Sequence, residues 1–198
     1  MKRGKMRTGL LQACDGVTAV EFGLLSPTLA LVLMGLFDVG YTIYASTMLQ
    51  GAVQRAARAS TVEGAADSLS QIDGAVTAEV RRVVPDATLS FARKAYANFS
   101  DVGVPEDFTD SNANDACDDG EVFEDANGNG TWDRDRGASG LGGARDAVLY
   151  TVTLTYPRKF PMASLLGLPE NSSSSASTVL RNQPYDLQKS RAKVGQCA

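Results

Sequence analysis

The stretch Asp125-Ala126-Asn127-Gly128-Asn129-Gly130-Thr131-Trp132-Asp133 puts side-chain oxygens at the first, third, fifth and ninth positions of a loop, a glycine at the sixth and the Thr131 carbonyl at the seventh. Those are the donors and the turn that a calcium ion requires. A hard cation collects about six to eight oxygens, and one short segment delivers them only if the backbone reverses sharply. The expected cofactor is therefore Ca2+, held by Asp125, Asn127, Asn129, Thr131 and Asp133. Arg136 stands at the twelfth position, where an acidic ligand belongs, so Asp118, Asp119, Glu124 or Asp135 would have to complete the shell. The competing reading is a hairpin tip in which Asn-Gly and Asp only shape a turn.

Other chemistry is poorly provided for. The chain has no histidine, which removes the commonest general base and the imidazole metal ligand. Ser172 to Ser175 form a polar run without a recognisable nucleophile context. The glycines between Gly137 and Gly143 lack the strand-to-helix setting and the lysine of a phosphate loop, and read as a flexible return to a sheet. Basic patches with interleaved aromatics are missing after the N-terminal region, so neither catalysis nor nucleic-acid binding is expected. Cys117 and Cys197 make an even pair once Cys14 is set aside, available for a disulfide in an oxidising compartment or as two separate thiols.

The elements that must position these residues begin with a membrane segment. A chain of 198 residues with 43% hydrophobic content accommodates such a segment and one modest domain. The net charge of -4 is unevenly spread: Lys2, Arg3, Lys5 and Arg7 make a basic leader, and no Lys or Arg recurs before Arg55. From Val17 to Tyr44 the charges are Glu21 and Asp38 alone, and at about 1.5 Å per helical residue this run crosses a hydrocarbon layer of roughly 30 Å. Basic residues stay on the cytoplasmic side, which places the remainder of the chain outside. A removable secretory signal would need a shorter apolar core and a small-x-small cleavage site, which Ile43 before Ala45 and Tyr44 before Ser46 do not supply.

A carboxylate in lipid calls for a partner. Cleavage after Gly16 would expose an α-amine on Val17, with a reference pKa of about 7.7 to 8.0, able to neutralise Glu21 of a neighbouring subunit. Asp38 reads as the outer lipid boundary or as an inter-subunit contact.

Gly16 followed by Val17-Thr18-Ala19-Val20-Glu21-Phe22 resembles the type IV prepilin processing motif, in which a membrane aspartyl peptidase cuts after the glycine and a glutamate occupies mature position five. With Pro27, Asp38-Val39-Gly40, Leu49-Gln50 and Ala56-Ala57-Arg58, the region from Gly16 to Arg58, about a fifth of the chain, is similar to the TadE-like pseudopilins of tight-adherence (Flp-type) pilus systems. The resemblance implies a leader over 1–16 removed by prepilin peptidase, a single-pass inner-membrane helix over 17–45, and a pilin-like extracytoplasmic domain over 46–198 with an acidic insertion at 101–143. It further implies packing of the N-terminal helix against other pilins or pseudopilins, and a part in pilus assembly, adherence and biofilm formation. The 125–133 segment resembles the EF-hand-type loops of dockerin-like and other extracellular modules. The alternative function is a membrane-anchored, calcium-binding periplasmic or surface adhesion module outside any filament.

The fold class expected is α+β. Met48, Leu49, Ala52, Val53, Ala56 and Ala57 extend the first helix past the membrane, with a kink or loosening at Pro27. Ser60 and Glu63 offer a capping box for a second helix that carries Leu69, Ile72, Val76, Val80 and Val83 and stops at Pro85. Strands are expected at Leu89 and Phe91, at Val148 to Tyr156 where apolar residues alternate with threonines, and around Ser174 to Arg181. Helices followed by strands imply a small antiparallel sheet laid on the helix. Between Asp101 and Arg136 stand twelve Asp or Glu against two Arg, which predicts a self-repelling, mobile loop.

Overall fold

In the computed structural model the described residues are 17–60, 68–160, 167–183 and 192–197. Their elements run α1 (Val17–Ala59), α2 (Leu69–Arg81), β1 (Thr88–Tyr96), β2 (Val122–Asp125), β3 (Ala138–Ser139), β4 (Ala147–Pro157), β5 (Asn171–Arg181) and β6 (Lys193–Gln196). The class is α+β, as the alternation of patterns along the chain requires. Two compact units can be distinguished: one runs to Thr42 and takes in Arg158–Glu170, the other comprises Ile43–Pro157 and Asn171–Ala198.

In the first unit α1 is continuous through Pro27. Its apolar side chains are exposed, among them Val20, Phe22, Leu24, Leu25, Leu36 and Phe37. Among the described residues α1 is the one helix long and apolar enough to cross a membrane.

The second unit holds the core. From Ala45 onward α1 buries Leu49, Ala52, Val53, Ala56 and Ala57, which recur every three or four residues and so share one face. β4 is the central strand of an antiparallel sheet ordered β3-β1-β4-β5. It buries Val148, Tyr150, Val152, Leu154 and Tyr156 because successive side chains on a strand point to opposite faces. Opposite them in register stand Leu180, Thr178, Ala176, Ser174 and Ser172 on β5. The serine run is therefore an edge strand whose small inward side chains let α1 approach: the Ser46 and Ser174 hydroxyls are 2.8 Å apart.

Ion pairs fasten α2. The Asp73 carboxylate accepts two bonds from the Arg93 guanidinium on β1 (3.1 and 2.5 Å) and one from the Tyr150 hydroxyl on β4 (3.0 Å), while Arg93 stacks 4.3 Å over the Tyr150 ring. Burial, then the Asp73 charge, raises the Tyr150 hydroxyl pKa well above its ordinary value. Arg55 of α1 pairs with Glu79 of α2.

Two sequence expectations are corrected here. Ser60 does not cap α2: its hydroxyl and amide both donate to the Ala56 carbonyl at the end of α1, and α2 starts at Leu69 after Ser68, which makes no side-chain cap. A serine at a helix C-terminus satisfies the last carbonyls instead; Glu63 lies outside the described residues. The acidic segment is not an open loop. It contains β2, which pairs with β6 from the far end of the chain in a second, two-stranded sheet, and the glycine-rich return supplies β3, an added edge on β1.

Candidate functional site

The acidic segment is built around carboxylates that accept backbone amides. Asp110 takes the N–H groups of Ala113, Asn114 and Asp115. Glu121, buried, takes those of Ser111 and Asp118. Glu106, 1% exposed, takes those of Ala126 (2.9 Å), Asn127 (3.3 Å) and Asp133 (3.0 Å). Amide donors aimed at a carboxylate supply the counter-charge that lysine or arginine supplies elsewhere. That is why ten excess negative charges fold rather than disperse.

The amide of Asp115, followed by those of its neighbours, holds the Asp110 carboxyl below its usual range, and the side-chain amides of Asn112 and Asn114 do the same for Asp118. Cys117 and Cys197 form a disulfide with Cα atoms 5.5 Å apart, and the Cys197 amide donates to the Glu121 carbonyl at 2.8 Å. β6 lies flat on β2 because Gly195 faces the Phe123 ring, in space that any Cβ would occupy.

Asp125 closes β2 and opens the loop read as a calcium site. Its Oδ1 accepts Gly128 and Asn129 amides (2.6 and 3.0 Å) and its Oδ2 the Gly130 amide (2.9 Å), a tight wrap made possible by positive φ at Gly128 and Gly130. Asn127 and Asn129 each donate Nδ2 to Asp133 Oδ2, at 2.8 and 2.6 Å, so three of the expected ligand side chains meet at one point. Their Oδ1 atoms face the other way, Asn127 accepting the Asn129 amide (2.9 Å) and Asn129 the Thr131 amide and hydroxyl (2.7 and 2.8 Å), so bringing the oxygens to Asp133 requires both side chains to turn and give up those bonds. The Asp125 carboxylate uses three of about four lone-pair sites on amides. The donors are oxygens only, which suits a hard cation. Among the described residues no three Asp, Glu or Cys converge as a ready-made metal centre.

Two of the four acids suggested to complete the shell, Asp135 and Asp118, are engaged elsewhere. Asp135 is bound by Lys94 (2.6 Å) and the Tyr96 hydroxyl (3.2 Å); burial, then Asp135, raises that hydroxyl's pKa. Asp118 holds Asn112 and Asn114, and Glu124 and Asp119 are exposed. Arg136, at the twelfth position, turns back to the Pro105 carbonyl (2.7 Å) and Asp107 (2.8 Å). The residue that underlies the loop is Glu106, whose carbonyl also accepts Trp132 Nε1 at 2.8 Å, with Trp132 edge-on to Phe108. No spacing rule pointed to it.

At the N-terminal end, Gly16 lies outside the described residues. Val17 is the first residue of α1, and Glu21 is exposed one turn on. The second acid of the apolar run, Asp38, pairs with Arg158 at 2.5 Å.

With this geometry in hand, the family described as TadE-like protein matches residues 16–58, the length of α1. The similarity covers the first helix and none of the strand-bearing part of the chain. Neither the curated proteins nor the solved structures give a match.

Proposed function

We propose that this chain is a pseudopilin or minor pilin of a tight-adherence pilus system. The observation that carries the reading is the coincidence of the TadE-like match with one helix whose first half presents bare apolar surface. Such a surface is stable only in lipid or against other helices. Prepilin peptidase cuts between Gly16 and Val17, and the new Val17 amine neutralises Glu21 of a neighbouring subunit as the helices pack. The C-terminal domain is periplasmic until assembly, and its contribution is to adherence and biofilm formation. Asp125, Asn127, Asn129, Asp133 and the Thr131 carbonyl hold Ca2+, which supplies positive charge to the acidic segment; Glu106 fixes the loop beneath it.

The test is N-terminal sequencing and intact mass of the membrane-extracted protein. A mature chain starting at Val17 is expected, with Gly16 replaced by a bulky residue leaving only precursor. Glu21→Ala should still be cut but should not enter pili. A mature terminus near Ser46, or normal incorporation of Glu21→Ala, refutes the reading.

A further inference from the structure

The acidic segment contains an internal repeat. Shifted by fifteen residues, Glu106, Phe108, Asp110, Asn112, Asn114 and Asp118 fall on Glu121, Phe123, Asp125, Asn127, Asn129 and Asp133, each on a residue of its own type. The positions between them differ, Ser111 against Ala126, Ala116 against Thr131 and Cys117 against Trp132. What recurs is the oxygen-bearing set at the first, third, fifth and ninth places of a calcium loop, preceded by a glutamate and a phenylalanine. A turn required only for its shape would keep the glycines. The first copy instead has Ala113 and Asp115 where the second has Gly128 and Gly130, and all four take positive φ.

The copies meet at Phe108 and Phe123, which form an antiparallel bridge. The bonds around it are reciprocal. The Thr109 amide donates to the Val122 carbonyl and the Glu124 amide to the Asp107 carbonyl, both at 2.8 Å; farther out, the Glu106 amide donates to the Asp133 carbonyl (2.9 Å) and the Glu121 amide to the Asp118 carbonyl (3.0 Å). An approximate two-fold thus relates the copies, and it exchanges their glutamates. Glu121, from the second copy, accepts the amides of Ser111 (2.7 Å) and Asp118 (3.1 Å), the second and ninth places of the first loop. Glu106, from the first, accepts those of Ala126 (2.9 Å) and Asp133 (3.0 Å), the same places of the second loop. Counted from Asp110, Glu121 is also the twelfth residue, where a calcium loop carries its acid. In the second loop Arg136 stands there, and the equivalent carboxylate arrives from Glu106. Both glutamates are more than nine-tenths buried, and among the described residues no Lys or Arg pairs with either. Amides give each carboxylate partial positive charge; a divalent ion gives it a full counter-charge.

We propose that the acidic segment binds two calcium ions, one in each copy of the repeat, and that the copies lend each other their glutamates. Asp110, Asn112, Asn114, the Ala116 carbonyl, Asp118 and Glu121 hold the first ion, and Glu106 is the carboxylate ligand of the second, in the loop from Asp125 to Asp133. The inference rests on reading the latter loop as a calcium site and adds to it a ligand and a second ion. Seating the first ion turns the same side chains as in the second loop, since Asn112 and Asn114 donate Nδ2 to Asp118 Oδ2 at 3.0 and 2.5 Å, and each glutamate exchanges amide bonds for the ion.

The test uses the full chain in detergent. Equilibrium dialysis against millimolar calcium should count two ions per chain in the parent, and one in either Asp110→Ala/Asp118→Ala or Asp125→Ala/Asp133→Ala. In the Asp110→Ala/Asp118→Ala background, terbium sensitised by Trp132 reads the second loop alone. Adding Glu106→Gln there should weaken terbium binding about tenfold, and luminescence lifetimes in H2O and D2O should show about one more bound water, which a glutamate that only shaped the loop would not change. Adding Glu121→Gln instead should alter neither. One ion per chain in the parent, lost in Asp125→Ala/Asp133→Ala, overturns the proposal and leaves the 125–133 site standing. One ion that only Asp110→Ala/Asp118→Ala abolishes, or none at all, overturns both. Two ions with an unchanged water count in Glu106→Gln overturns the exchange of glutamates.

Discussion

Removing the Glu106 carboxylate should unlock the acidic segment without unfolding the main sheet. Glu106→Ala deletes three hydrogen bonds from backbone amides to a charged acceptor, at 2.9, 3.3 and 3.0 Å. Such bonds contribute about 1.5–3 kcal/mol each when their loss strands a buried partner. Here the Asn127 and Asp133 region is partly exposed, so water reaches the freed amides and about 1 kcal/mol each is the better figure, near 3 kcal/mol in all. At about 1.4 kcal/mol per factor of ten, local opening becomes roughly 100- to 200-fold more frequent. Amide hydrogen exchange of the full chain in detergent reads this directly: peptides covering 122–135 should lose protection by that factor, while those of β4 and β5 hold theirs. Trp132 emission should shift red, because the backbone that accepts its Nε1 is no longer fixed. Glu106→Gln should fall in between, with one oxygen still facing the Ala126 and Asn127 amides. If calcium binds Asp125 to Asp133, millimolar ion should further protect the same peptides in the parent, and affinity on the order of 10⁻⁴ to 10⁻³ M is expected without an acidic twelfth ligand. Unchanged exchange and emission in Glu106→Ala would refute the view that amide-capped carboxylates hold this segment.

Two further outcomes follow from the geometry. Asp73→Ala leaves the Arg93 guanidinium, whose side chain is 9% exposed, without its carboxylate and also removes the acceptor of the Tyr150 hydroxyl; a loss of about 3 kcal/mol is expected in urea unfolding followed by near-ultraviolet circular dichroism, and less than 1 kcal/mol would contradict it. The Asp110 and Asp118 carboxyls have pKa values lowered by folding, so their stabilising contribution is complete above the unfolded value near 4 and disappears as pH falls below it. The amide proton shifts of Ala113, Asn114 and Asp115 should therefore hold steady from pH 7 to about 4 and move below that; a transition centred near pH 6 would show that other groups govern the turn.

The parts of the fold that were legible are those in which one local period repeats. Ala45 to Ala57 recur at helical spacing and Val148 to Tyr156 alternate, so each segment states its own buried face. The second sheet could not be read, because β2 and β6 are four residues each and pair across most of the C-terminal half of the chain. The sequence Lys193-Val194-Gly195-Gln196 carries no signal until Phe123 is known to lie under Gly195. Glu106 was hidden among a dozen acids; what distinguishes it is that the amides it accepts lie 20, 21 and 27 residues away, whereas those bound by Asp125 lie within five. Asp125, Asn127, Asn129 and Asp133 were recognisable because a loop that wraps a single centre keeps its donors at fixed short separations. Arg158 was invisible as the companion of Asp38, since the two stand 120 residues apart and neither belongs to a motif that names the other.

The disulfide has a mechanical meaning. Cys117 and Cys197 are 80 residues apart, and the span between them includes β4, β5, β6 and the whole of the 125–133 loop. When the molecule is pulled from its two ends, tension passes from Cys117 straight to Cys197 through the sulfur bridge, and everything between hangs outside the line of force. About 260–290 Å of contour, at roughly 3.3–3.6 Å per extended residue, cannot be drawn out while the bridge is intact. Under load the helices, β1 and the chain up to Cys117 yield as extensible chain, Glu106 with them, so the 125–133 loop loses the carboxylate beneath it while its own backbone stays outside the line of force.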